Sequence, residues 1–164
     1  MERTFHAGEL ADRLAGTGDP LDVLELATAV LVRNFELLRR RGGVYSELDQ
    51  SEYLILRILD GLGSADIGTL AGALGLDPST AGRQVSALLG KGLVERGAAA
   101  DDRRRSIITP TEQGRERMHL TRSRRRSSMA DLMGDWDAAD QQSFAGLLTR
   151  YNRAVAARYL AGSR

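Results

Sequence analysis

Apolar residues recur at three- and four-residue spacing from Pro20 onward, at Leu24, Ala27, Leu31, Phe35 and Leu38. That period puts them on one face of a helix, so residues 20–40 read as strongly amphipathic. Asp19 before Pro20 supplies a cap followed by proline at the first helical position. Arg39, Arg40 and Arg41 fill the last turn, where cations meet the helix dipole, and Gly42-Gly43 end it. A second helix starts at Asp49, and Glu52, three residues on, completes a capping-box pattern. Tyr53, Leu54, Leu56, Ile58 and Leu59 carry its apolar surface, and Gly61 and Gly63 close it. A short helix from Ile67 to Leu74 ends at Gly75. Asp77-Pro78 then repeats the cap-plus-proline start and opens a helix from Pro78 to Gly90.

The period changes after Gly90. Residues 93–96 read as a short strand, 97–104 as a polar loop and 105–109 as a returning strand. The next helix begins at Thr109 or at Thr111, since either hydroxyl is placed to cap it. It runs to about Met133, with Met118, Met129, Leu132 and Met133 for burial and an arginine-rich middle. After a break at residues 134–138 a last helix, 138–161, carries Phe144, Leu147, Leu148, Tyr151, Val155 and Tyr159 on one stripe.

Leu70 to Leu88 has the spacing of a helix-turn-helix. Ala71 packs against the partner helix, Gly75 takes a turn that needs positive φ, and Ala81 and Val85 face inward. On a wheel of about 100° per residue, Ala81, Val85 and Leu88 share one side of residues 78–90 and Arg83 lies almost opposite. Ser79, Ser86 and Gly90 sit beside Arg83, Thr80 and Ala87 flank it, and Gln84 marks the edge of the core face. A small polar face around one long arginine suits a major groove, where arginine reaches guanine O6 and N7. The ribbon that follows, tipped by Asp101, Asp102, Arg103, Arg104 and Arg105, describes a wing. Its carboxylates can brace one guanidinium while another enters a minor groove.

Composition narrows the chemistry. At 164 residues with 42% apolar content the chain fits one domain with helical extensions, and its net charge of +1 is no generic polyanion binder's. Of 23 basic residues only Lys91 is a lysine, and arginines cluster at 103–105 and at Arg122 with Arg124, Arg125 and Arg126. Cysteine is absent and His6 and His119 stand far apart, so thiol chemistry is excluded and no metal site or cofactor is expected. No apolar run approaches the roughly 18–20 residues of a membrane span, and residues 1–20 have no signal-peptide pattern, so a cytoplasmic protein is expected. With no catalytic constellation and no phosphate-cradling loop, the chain does not read as an enzyme.

The pattern resembles the MarR-type (multiple antibiotic resistance) regulators over about residues 20–161. Asp102, Arg104, Thr111 and Gly114 match that family's wing pattern, with Pro110 in place of leucine. Ser79-Thr80-Ala81-Gly82-Arg83-Gln84-Val85 is similar to its recognition helix, Gly92 to Arg96 to the strand after it, and Asp135-Trp136 to the entry of its last helix. The resemblance implies a mainly α winged helix-turn-helix of order α-α-α-α-β-β-α-α, with a first β-strand near Ser64 to Asp66. It implies that Arg83, with Ser79, Thr80, Gly82, Gln84 and Ser86, enters a major groove. Arg104, flanked by Arg103 and Arg105, would enter the minor groove with Asp102 holding the wing arginine.

The expected organisation is an N-terminal extension (1–19), a DNA-binding lobe (48–109) and a helical dimerisation region (20–47 with 110–161). The stripes on residues 20–40 and 138–161 exceed what a small winged core covers, which points independently to a homodimer through Phe144, Leu148, Tyr151 and Val155. The expected partner is double-stranded DNA carrying a palindromic operator. The resemblance further implies a repressor released by a small organic effector. Tyr45, Tyr53 and Arg57 are candidates for lining its pocket; the plainer reading makes Tyr53 core and Arg57 an ion-pair partner. The competing function is a winged-helix protein-interaction module that no longer binds DNA, against which the exposed Arg83 and basic wing tip weigh.

Overall fold

The computed structural model describes residues 9, 19–41, 43–99 and 105–160. The chain divides into two compact units, Met1–Val44 and Tyr45–Arg164. The first contains α1 (Pro20–Arg41). Asp19 starts it by accepting the Leu21 N–H at 2.8 Å, and Leu21, Leu24, Val32 and Phe35 lie exposed along it.

The second unit holds α2 (Gln50–Leu62), α3 (Ile67–Leu74), α4 (Pro78–Gly90), β1 (Val94–Ala98), β2 (Ser106–Pro110), α5 (Glu112–Leu132) and α6 (Ala138–Tyr159). The expected order and mainly helical class are therefore observed. Aspartates set most of the starts. Asp49, Asp66, Asp77 and Asp137 accept the N–H of Glu52, Thr69, Thr80 and Asp140 at 2.9, 2.7, 2.9 and 2.8 Å. Each such cap contributes about 0.5–2 kcal/mol. At Asp49 the box is complete, because Glu52 in turn accepts the Asp49 N–H at 3.0 Å. The open choice at the start of α5 falls to Thr111, whose hydroxyl accepts the Gly114 N–H at 3.1 Å. Thr109 stays in β2, paired with Glu95.

The strands pair antiparallel from Val94↔Pro110 to Ala98↔Ser106. Pro110 is buried at the end of this ribbon, where a missing N–H costs no ladder bond. The strand expected near Ser64 to Asp66 is reduced to one bridge, with Ala65 and Ile108 exchanging both backbone hydrogen bonds at 3.1 and 2.8 Å.

The core lies where α2, α3, α4, the ribbon and the first half of α5 meet. Ile55, Leu59, Leu70, Val85, Leu88 and Ile108 are fully buried there. Leu54, expected on the apolar surface of α2, is instead 41% exposed, because its neighbour Ile55 takes the inward direction. Gly114 lets α5 pass directly over β1: a Cβ there would run into the Leu93 carbonyl oxygen. Gly75 ends α3 with φ of 66°, as the turn reading requires, and Leu160, beyond the end of α6, lies against it.

Candidate nucleic-acid interface

The α4 helix presents two opposed faces. Ala81, Val85 and Leu88 are completely buried, while Ser79, Arg83 and Ser86 are exposed. Thr80 and Gly82 are half-buried at the margin. Arg83 is the one charged side chain on this helix, and its Nη2 donates to the Thr80 hydroxyl at 2.8 Å. The Thr80 hydroxyl donates to Asp77 Oδ2 at 2.6 Å, and the Ser79 hydroxyl donates to Asp77 Oδ1 at 2.5 Å. These bonds from Ser79 and Thr80, with the Thr80 N–H, hold the Asp77 carboxyl far below the usual carboxylate range. Ser86 spends its hydroxyl proton on the Gly82 carbonyl at 2.8 Å.

Gln84 points elsewhere. It lines a cleft of about 290 Å³ with Gln50, Ser51, Leu54, Leu74 and Leu76, and its Oε1 is buried without a hydrogen-bond partner. The wing is described up to Ala99 and from Arg105, and the Ala99 N–H donates to the Arg105 carbonyl at 2.8 Å. Arg105 is exposed at the start of the returning strand. Asp102, Arg103 and Arg104 lie outside the described residues.

Two ties that the sequence did not reveal hold this lobe in shape. The Lys91 ammonium at the end of α4 donates to Glu52 Oε1 at 2.5 Å, across 39 positions. Glu52 is buried, so the same carboxylate that caps α2 also anchors the C-terminus of α4. The second tie runs from α5 to residues 45–47. Arg117 bridges Glu47 at 2.5 Å, and Arg124 reaches both Ser46 and Glu47.

The candidate pocket residues separate. Arg57 turns to Asp60 on its own helix at 3.4 Å. Tyr45 and Tyr53 converge on Arg125, whose guanidinium carbon lies 5.1 and 5.2 Å from their ring centres and which donates to the Tyr45 hydroxyl. Burial pushes the Tyr45 phenol up, against the opposing pull of Arg125. Arg125 belongs to the second arginine cluster of the sequence; only a fold that brings residues 80 positions apart together gives it these partners.

On α6, Phe144 meets Trp136 edge-on, 5.4 Å between ring centres, and Leu148 is half-buried. Tyr151 and Val155 are 56% and 39% exposed. Among the described residues no group of three or more His, Asp or Glu is placed to hold a metal ion. No described helix is long and apolar enough to cross a membrane.

Residues 48–106 match the model of the MarR family. The chain is 30% identical over 136 residues to the uncharacterized HTH-type transcriptional regulator YxaD of Bacillus subtilis (strain 168), spanning 83% of this chain and 95% of that protein. Its fold is similar to the PcaV transcriptional regulator of Streptomyces coelicolor, solved in complex with its natural ligand. That likeness has a TM-score of 0.67 at 23% identity and covers 94% of this chain and 99% of PcaV. It is also similar to a MarR family transcriptional regulator from Silicibacter pomeroyi DSS, with a TM-score of 0.66 at 20% identity, covering 84% and 95% of the two chains. With a helix-turn-helix ending in a two-stranded wing and these relatives, the chain belongs to the MarR family of winged-helix transcriptional regulators.

Proposed function

We propose that the protein is a homodimeric, cytoplasmic DNA-binding repressor that reads an imperfect palindrome through α4 and its wing. The observation that carries this reading is Arg83: one long cation, exposed on a small polar face, set on a helix whose other face is completely buried. A rigid helix with that profile can enter a major groove without steric conflict, and its guanidinium can bridge guanine O6 and N7. Ser79, Thr80, Gly82 and Ser86 form the close-approach surface around it. A two-fold dimer puts two such helices about one helical turn apart on the duplex, which sets the half-site spacing. Asp102, Arg103, Arg104 and Arg105 would form the wing contact, with Arg104 reading minor-groove width and phosphates. Residues 48–109 serve as the reading lobe, and 20–47 with 110–161 as the dimerisation region, closed by Phe144, Leu148, Tyr151 and Val155.

The site for a small organic effector would be the cluster of Tyr45, Tyr53 and Arg125, since Arg57 is engaged by Asp60. Two ring faces and a guanidinium suit an aromatic or anionic molecule, and PcaV, solved with its natural ligand, supports a ligand-responsive fold. Release of DNA requires that the ligand prefer the non-binding dimer, by about 1.4 kcal/mol for each tenfold change in affinity.

The test is selection of bound duplexes from random DNA, followed by titration on the selected and a scrambled duplex at two salt concentrations. Arg83→Ala should cost about 1–3 kcal/mol per contact and relax preference at one position of each half-site. Arg104→Ala should weaken binding to both duplexes and flatten the salt dependence. Asp102→Ala should do the same more mildly. Unchanged operator binding by Arg83→Ala would remove α4 as the reader.

A further inference from the structure

At the start of α4 a chain of hydrogen-bonded side chains links Asp77 through Thr80 to the exposed Arg83, and Ser79 also donates to Asp77. Asp77 accepts from the hydroxyls of Ser79 and Thr80 and from the Thr80 N–H; Thr80 Oγ1 then accepts from Arg83 Nη2. The direction of each bond is forced. An ionised carboxylate only accepts, so Thr80 must donate its single proton to Asp77. The lone pairs left on Thr80 Oγ1 therefore face the guanidinium, which only donates. An exposed arginine on a solvated helix would otherwise sample many rotamers, and ordering it on DNA costs side-chain entropy. Holding one donor of the fork on Thr80 restricts the rotamers of an otherwise exposed side chain.

We propose that Thr80 is a specificity-determining positioning residue: its hydroxyl, oriented by Asp77, holds the Arg83 guanidinium in the pose that reads one base pair. This rests on the reading of α4 as the DNA-contacting helix. A second consequence follows from the same bond directions. With their protons committed to Asp77, the hydroxyls of Ser79 and Thr80 have no donor left for phosphate. The Ser79 hydroxyl, outside the bond to Arg83, presents lone pairs only, which suits an amino group of adenine or cytosine. The Asp77 charge at the head of the helix also repels phosphate there, so this turn favours base reading over backbone grip.

The experiment uses the full chain and a fluorescein-labelled duplex selected from random DNA by the wild-type protein, with single base-pair variants and a scrambled duplex. Arg83→Ala should lose about 5- to 100-fold of discrimination at one position per half-site. Thr80→Val keeps the β-branched shape without the hydroxyl. It should lose about three- to tenfold at that same position, with scrambled-duplex affinity within about twofold. Thr80→Ser should restore discrimination, and Thr80→Val combined with Arg83→Ala should lose no more than Arg83→Ala alone. Asp77→Asn keeps a capping oxygen but offers Thr80 a donor where it needs an acceptor. It should relax the same position and tighten binding to scrambled DNA, and it decides the matter if Thr80→Val fails to fold by circular dichroism. A purely structural Thr80 would instead weaken all duplexes equally. Full discrimination in Thr80→Val and Asp77→Asn, with Arg83→Ala impaired, overturns the positioning role and leaves the reading of α4 intact. Full discrimination in Arg83→Ala overturns both.

Discussion

The winged lobe and α6 both carry apolar stripes but bury them very differently. In the lobe, Ile55, Leu59, Leu70, Val85, Leu88 and Ile108 have essentially no solvent exposure. In α6, 22 residues long, none is buried, and Leu147, Tyr151 and Tyr159 are each more than half exposed. The lobe closes on itself because α2, α3, α4, α5 and the ribbon surround one core. Among the described residues of the Tyr45–Arg164 unit α6 has no such set of neighbours, and most helical stability in proteins comes from tertiary packing of an amphipathic face. An amphipathic stripe thus announces how much surface must be covered; whether the same chain covers it depends on topology. The difference supports a second copy as the cover for α6, in line with the proposed dimer.

Substitutions at three places separate the two regions. The largest effect on the stability of the lobe itself is expected at Gly114, where a methyl group would strike the Leu93 carbonyl, a backbone atom with little room to move. Gly114→Ala should cost about 3 kcal/mol or more, seen as a fall in the urea midpoint of the lobe. A variant as stable as wild type would show that close passage of α5 over β1 is not what seals the core. Next comes Leu148→Glu with Tyr151→Glu. Each apolar side chain removed from a covered surface forfeits about 1.5–3 kcal/mol, and a two-fold interface counts each change twice. Sedimentation velocity should show monomer while the lobe keeps its helical and strand signature; a dimer that survives would mean α6 is covered some other way. The smallest effect is expected for Lys91→Met. It leaves the buried Glu52 carboxylate with its capping bond but no counter-charge. Because the ammonium side is about half exposed (54%), solvent will relieve part of the loss. A cost of about 1–2 kcal/mol is expected, in thermal unfolding of the lobe and not in the association constant.

The parts that were legible in the sequence are those set by short-range physics. Asp49 and Asp77 were legible as caps because a short acceptor side chain reaches an amide three residues away, a distance along the chain that sequence displays directly; Asp66 and Asp137, which the reading passed over, cap by the same rule. Gly75 was legible for the same reason, as was the inward face of α4. The ambiguity between Thr109 and Thr111 was not, because both satisfy the local rule. It is resolved by the pairing of β2 with β1, which keeps Thr109 extended opposite Glu95.

The pocket residues show the limit from the other side. Arg57 stands one turn from Tyr53 in the sequence as a pocket candidate, while the plainer reading of it as an ion-pair partner agrees with its bridge to Asp60. The cation that does reach Tyr53 comes from α5. Spacing along a helix tells which residues share a face, and it is silent about what lies opposite.

The capped helix starts at Asp19, Asp49 and Asp77, the period change at the wing, the opposed faces of α4 and the absence of thiol chemistry follow from the amino-acid sequence alone. Each depends on covalent neighbours or composition. Only the tertiary structure decided that Lys91 belongs to Glu52, that Arg125 lies between two tyrosines, that Gln84 turns away from Arg83, and that Gly114 must lack a side chain. Most of these depend on residues distant in sequence, and such contacts exist only once the chain has closed loops that no local preference specifies.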